Sequence, residues 1–172
     1  MKKIITSLSI LSCIAINAQN NFSVGVYTGI PVMDANKKAS INIGAQASYL
    51  RDLSTNFKIG ASVGYSHYFI KKIGGDHGFY PIAAKAQYTF LNQKLFADLD
   101  LGYAIPSQGG LKGGLYAHPK IGYKIRKNDL FLGFQSITAK YNFDYSNENG
   151  ITNPKNSKLN TASINIGYNY NF

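Results

Sequence analysis

The chain ends in Ala162-Ser163-Ile164-Asn165-Ile166-Gly167-Tyr168-Asn169-Tyr170-Asn171-Phe172, in which every even position is apolar or aromatic and every odd position is polar or glycine. Successive side chains of an extended chain point to opposite sides, so this stretch reads as one β-strand with an apolar face and a polar face. A helix of 3.6 residues per turn would scatter the same side chains around its axis.

Working back from this strand, seven more segments alternate in the same way, at 22–30, 40–50, 57–70, 79–90, 95–105, 115–125 and 130–143. The second is typical: Ile41, Ile43, Ala45, Ala47 and Tyr49 oppose Asn42, Gly44, Gln46 and Ser48. In the seventh the parity changes, from Leu132 and Phe134 to Ile137, Ala139, Tyr141 and Phe143, and a β-bulge at Gln135 and Ser136 would reconcile the two halves. Thirteen Tyr, 10 Phe and 17 Gly favour strands and turns, and 172 residues fit a single domain. Pro119, in the middle of the sixth segment, removes a ladder donor and puts local pairing there in question; Pro81 lies near a strand start.

Charge placement decides which face is wet. Within the segments the Lys, Arg, Asp and Glu residues are Lys58, Lys85, Asp98, Asp100, Lys120, Lys124 and Lys140, and the alternation puts all of them on the polar parity. That parity is otherwise Gly, Ser, Asn and Gln, too sparsely charged for a soluble exterior and suited to the crowded interior of a small barrel whose outside faces lipid. The connectors agree. Short ones at 51–56, 91–94 and 126–129 alternate with longer ones at 31–39, 71–78, 106–114 and 144–157, as periplasmic turns alternate with outer loops. Aromatics gather at the strand ends, with Tyr49, Phe57, Tyr88, Phe90, Tyr123 and Tyr170 at one level and Tyr65, Phe69, Tyr103 and Tyr141 at the other. The fold class expected is all-β, an eight-stranded antiparallel up-and-down transmembrane β-barrel.

At the other end, Lys2 and Lys3 precede an apolar run over 4–16 and then Asn17-Ala18-Gln19, which reads as a signal peptide cleaved after Ala18. The run is too short for a spanning helix. Lipoprotein processing at Cys13 is the rival, but the apolar run continues past it. The division expected is therefore 1–18 signal peptide and 19–172 barrel domain. Cys13 is the sole cysteine, so its removal leaves no thiol for a disulfide or thiolate site. The net charge of +10 falls by two with the signal, and export makes nucleic acid an unsuitable partner.

With its eight alternating segments and terminal Tyr168, Tyr170 and Phe172, the chain resembles the small eight-stranded outer-membrane barrels of Gram-negative bacteria, of the OmpX and OmpA-domain type. The resemblance implies a cell outer-membrane location and monomeric barrels in contact with outer-membrane lipid and lipopolysaccharide. It also implies that Tyr168, Tyr170 and Phe172 form a C-terminal assembly signal read by the barrel-assembly machinery.

One luminal constellation follows from the turn at 91–94. If it is symmetric about Asn92 and Gln93, Lys85 faces Asp100 and Gln87 faces Asp98, and Lys120 and Lys124 on the next strand complete a charge cluster. Such a cluster serves as a compensated plug, or else as a proton relay, solute filter or gate. Catalytic arrangements are thin. Ser66 and His67 are adjacent and so point to opposite faces, His118 is luminal, and Asp76 with His77 offers two ligands, too few for a metal site. No catalytic, cofactor-binding or metal site is expected. The function expected is a non-enzymatic structural, envelope-stabilising or surface-interaction role with a side-chain-filled lumen. Its outer loops carry Lys37, Lys38, Lys71, Lys72, Lys112, Lys155 and Lys158 against Asp34, Asp76, Asp144 and Glu148, facing lipopolysaccharide phosphates. The alternative is a narrow pore or transporter for small solutes; a lipid A-modifying barrel enzyme and a soluble lipocalin-like carrier rank below it.

Overall fold

Eight antiparallel strands follow one another around a single closed barrel: β1 Phe22–Val32, β2 Ala39–Asp52, β3 Phe57–Ile70, β4 His77–Phe90, β5 Leu95–Pro106, β6 Leu111–Ile125, β7 Asn128–Ser146 and β8 Thr152–Asn171. Each strand pairs with its sequence neighbours, and β1 closes on β8 from Ser23↔Asn171 to Val32↔Ala162. This computed structural model describes residues 21–35, 39–70, 76–107, 111–146 and 152–172. The signal segment and Cys13 lie outside them.

The exterior is apolar. Ile30 is 69% exposed, Leu115 65% and Ile166 59%, while Asn42, Ser66, Asp100, His118, Gln135 and Ser163 on the inner face are inaccessible. A lipocalin-like carrier would have the reverse polarity, so this orientation overturns that alternative. Lipid is the solvent that suits such a wall, and closure leaves no unpaired sheet edge within it.

Inside, aromatic rings fit over glycines on the facing strand. Tyr27 is opposite Gly44, Phe96 opposite Gly122 and Phe131 opposite Gly167, and each ring occupies the place where a Cβ on that glycine would stand. These glycines are used for close approach, which lets a narrow lumen hold large side chains at interior packing density.

Three expectations need correction. The seventh strand has no bulge at Gln135 and Ser136: β7 keeps one register with β8 from Asn128↔Tyr170 to Ser146↔Thr152. The irregularity lies in β6 instead, between the pairs Lys112↔Lys140 and Leu115↔Thr138. Ile137 and Ala139 therefore point inward and join Ala39, Tyr68, Phe79, Ala83, Ala104 and Tyr116 in an apolar luminal layer near the loop end. The expected luminal placement of Lys140 lies outside the described side chains. Third, 144–157 is not all loop, since β7 runs on to Ser146 and β8 starts at Thr152. Above Val32↔Ala162 and Leu111↔Tyr141 no further strand among the described residues pairs with this hairpin, although the 3-10 turn Met33–Ala35 packs against β8.

The prolines each open the ladder on one side. β6 pairs continuously with β5 through Leu99↔Pro119, whereas its ladder to β7 passes from Ala117↔Ser136 directly to Lys120↔Gly133. Pro81 likewise keeps its pairing with Ala104, while the β3–β4 ladder passes from Val63↔Ile82 to Ser66↔Phe79. Proline has no N–H to offer on the interrupted side.

Candidate functional site

The luminal charge cluster is assembled by strand register. The turn 91–94 carries Leu91, Asn92 and Gln93 in the left-handed region, with φ of 50°, 55° and 62°. It sets Lys85 opposite Asp100 and Gln87 opposite Asp98. β6 then places Lys120 opposite Asp98 and His118 opposite Asp100.

The closest ion pairs run diagonally across this register. Lys85 Nζ is 2.5 Å from Asp98 Oδ2 and 3.4 Å from Asp100 Oδ1, and Lys120 Nζ is 2.5 Å from Asp100 Oδ2. Gln87 Nε2 donates to Asp98 Oδ1 at 2.8 Å, and Lys120 Nζ also donates to Gln46 Oε1 at 3.0 Å. Lys124 meets the cluster through an amide, donating to Gln87 Oε1 at 2.7 Å. Two lysines and two aspartates, all buried, thus neutralise one another. Each charge is costly alone in a dry interior and tolerable only as part of the set. Phe131 and Phe96 add faces for the Lys120 and Lys124 ammoniums, whose Nζ atoms are 5.4 and 5.5 Å from the ring centroids.

A second network, which the sequence reading did not identify, lies between the ions and the apolar layer. Gln135 Oε1 accepts from Ser66 Oγ at 3.1 Å and Tyr68 Oη at 3.0 Å, and its Nε2 donates to Tyr27 Oη at 3.0 Å. Asn42 Nδ2 donates to Ser66 Oγ at 2.8 Å. Asn165 Nδ2 lies 3.3 Å from His118 Nε2, so Nδ1 carries the imidazole proton and donates to Tyr116 Oη at 3.0 Å. The signal for these residues was their inward parity. Which of them meet depends on the tilt of the strands, which alternation does not encode.

Towards the turns the lumen opens into a vestibule. A cavity of about 390 Å³ lined by Lys58, Thr89 and Lys124, among others, adjoins one of about 170 Å³ that shares both lysines and adds Arg126 and Asn171. Lys58 Nζ pairs with Asp52 Oδ1 at 3.0 Å at its edge.

The remaining residues singled out in the sequence separate. Ser66 points inward. His67 points outward, its Nε2 3.2 Å from Asp76 Oδ2 and its Nδ1 3.0 Å from Tyr65 Oη. Asp76 Oδ1 accepts the Ile70 N–H at 2.9 Å. This hydrogen bond, with that from His67, holds the Asp76 carboxyl below the usual carboxylate range. Among the described residues no three His, Cys, Asp or Glu gather as a metal site would require. Tyr168, Tyr170 and Phe172 lie on the outer face at the turn end, where the Phe172 ring is 5.2 Å from Tyr170 and 5.6 Å from Phe22.

No protein-family model matches the chain, and no curated protein matches it in sequence. Solved structures do match in shape. The chain is similar to the outer membrane enzyme PagL, at 13% identity and a TM-score of 0.56, with 87% of this chain and 99% of that one covered. It is similar to Neisserial surface protein A, at 20% identity and TM-score 0.51, covering 88% and 97%. A third is the Yersinia pestis outer membrane protein Ail in a phospholipid bilayer nanodisc, at 13% identity and TM-score 0.50, covering 88% and 99%. The chain has the fold that these small eight-stranded outer-membrane barrels share.

Proposed function

We propose that this outer-membrane barrel is a sealed, non-catalytic envelope protein that stabilises the membrane and meets partners at the cell surface. The occlusion of the lumen carries this reading. Lys85, Asp98, Asp100, His118 and Gln135 are 0–4% exposed, and the apolar layer of Phe79, Ile137 and Ala139, each at 0%, closes the barrel above them. An open pore would need a wet path through both layers, and eight strands leave little width for one.

The surface role is supported by the ribbon of β7 and β8. Among the described residues no strand pairs with its backbone edge on the β7 side beyond Leu111↔Tyr141, and an unpaired edge of this kind accepts an extended segment from another protein. The non-catalytic reading is supported by the separation of Ser66 from His67 on opposite faces of the wall. Although one structural neighbour is described as an enzyme, a shared fold does not transfer a reaction.

Planar-bilayer recording tests the proposal. A sealed barrel gives no conductance steps at any voltage the bilayer tolerates, whereas stable unitary steps would replace this reading with the narrow-pore alternative.

A further inference from the structure

The vestibule at the turn end differs in charge balance from the ion cluster above it. Lys85 and Lys120 each touch a carboxylate, and Lys58 pairs with Asp52. Lys124 makes no ion pair among the described residues: its ammonium donates to the neutral Gln87 amide and lies over the Phe96 ring. Asp129 faces Lys124 in the β6–β7 register, but it is 2% exposed and lines neither cavity. The lining therefore holds three cations, Lys58, Lys124 and Arg126, against the single acid Asp52. Gln19 and Asn20, which the expected signal cleavage leaves ahead of Asn21, bring no acidic side chain to this end.

Neutral donors surround the same space. Ser23, Thr89, Gln93 and Asn171 contribute hydroxyl and amide groups to the two cavities. Gln87 lines the smaller one and joins it to the ion cluster, its Nε2 donating to Asp98 Oδ1. Because Lys85, Asp98 and Asp100 beyond it are buried, the vestibule is a blind pocket reached from the turn end. Its larger cavity, about 390 Å³, has the volume of a small-molecule site. A carboxylate would offer this lining two oxygens and one charge. A phosphate monoester offers three strong acceptor oxygens and close to two charges, enough to engage Lys124, Arg126 and a hydroxyl or amide together.

We propose that the vestibule binds a small soluble phosphate monoester, its phosphate received by Lys124 and Arg126 with Lys58 alongside.

The experiment is an NMR titration of the isotope-labelled protein in a maltoside detergent, with glycerol 3-phosphate as the probe and sodium chloride at equal ionic strength as the reference. Saturable shifts are expected at the amides of Lys58, Thr89 and Lys124. Arg126→Gln, on an exposed turn, and Lys124→Gln each weaken binding about tenfold, the scale of one charge-assisted hydrogen bond. Lys94→Gln removes the same charge from a turn residue that lines neither cavity, and it leaves binding unchanged. Shifts that chloride reproduces, or an equal loss in Lys94→Gln, would overturn the proposal, the cations then being a diffuse basic surface. So would the same saturable shifts from phosphatidylglycerol in the micelle with no soluble phosphate added, since the source would then be a lipid headgroup.

Discussion

Lys120 Nζ and Asp100 Oδ2 lie 2.5 Å apart in the middle of the lumen, with both side chains wholly inaccessible. With Lys85 and Asp98 they make a neutral set of four buried charges, so removing any one strands another. Replacing Asp100 with Ala leaves Lys120 uncompensated and should cost about 3–5 kcal/mol. The check is thermal and denaturant unfolding in detergent. Replacing Asp100 and Lys120 together with apolar residues of similar volume should recover most of that loss. An unchanged melting temperature in Asp100→Ala would contradict the ion-pair account.

Gln135 is the node of the upper network, and its amide satisfies Ser66, Tyr68 and Tyr27 at once. Gln135→Leu keeps the volume but leaves buried hydroxyls short of a partner. A loss of about 1–3 kcal/mol for each group left unpaired is expected. Asn160→Leu, on the exposed part of β8, is the control and should leave the unfolding midpoint in place.

Pro119 opens the β6–β7 ladder while keeping its register. Pro119→Val restores a donor on an outward-facing position and should add about 1 kcal/mol. Amide exchange near Ser136 and Gly133, which flank the gap, should slow in the variant. Exchange as fast as in the wild type would mean that the gap has a cause other than proline.

Much of this was legible before the structure. Alternation from Ile164 to Phe172 and in six other segments showed which residues face lipid, although Ala162, on the same parity, is buried, and the short turn around Asn92 set the pairing of Lys85 with Asp100 by register. Ile137 and Ala139 were misread because alternation assigns apolar residues to lipid, whereas this lumen is narrow enough to be closed by an apolar layer of its own. For the same reason the luminal rings of Tyr27, Tyr68, Phe79, Phe96, Tyr116 and Phe131 carry no parity signal separate from the outer girdles. The ribbon went unread because the sequence over 144–157 has no apolar alternation with a period of two. The diagonal ion pairs depend on side-chain reach across tilted strands, which register alone leaves open.

The Asp76 clasp sets a pH dependence at the loop end. Its carboxyl pKa is lowered in the folded protein by the Ile70 N–H and His67. The contribution of the ionised form is therefore complete above the ordinary carboxylate value of about 3.9, and it is lost as pH falls through the depressed folded value. Exchange of the Ile70 amide should accelerate across that acid window, relative to the smooth pH trend of neighbouring amides. In Asp76→Asn the acceleration should disappear.

The central claim is that one parity of every strand faces lipid and the other, polar groups and apolar layer together, fills a sealed lumen. It is tested most directly by quenching with brominated acyl chains, using a fluorophore on a single cysteine placed in turn at Ile164, Leu132, Asn165 and Gln135. Strong quenching at Ile164 and Leu132, with little at Asn165 and Gln135, is the result the account predicts. Quenching at the inner pair, or none at the outer pair, would contradict it.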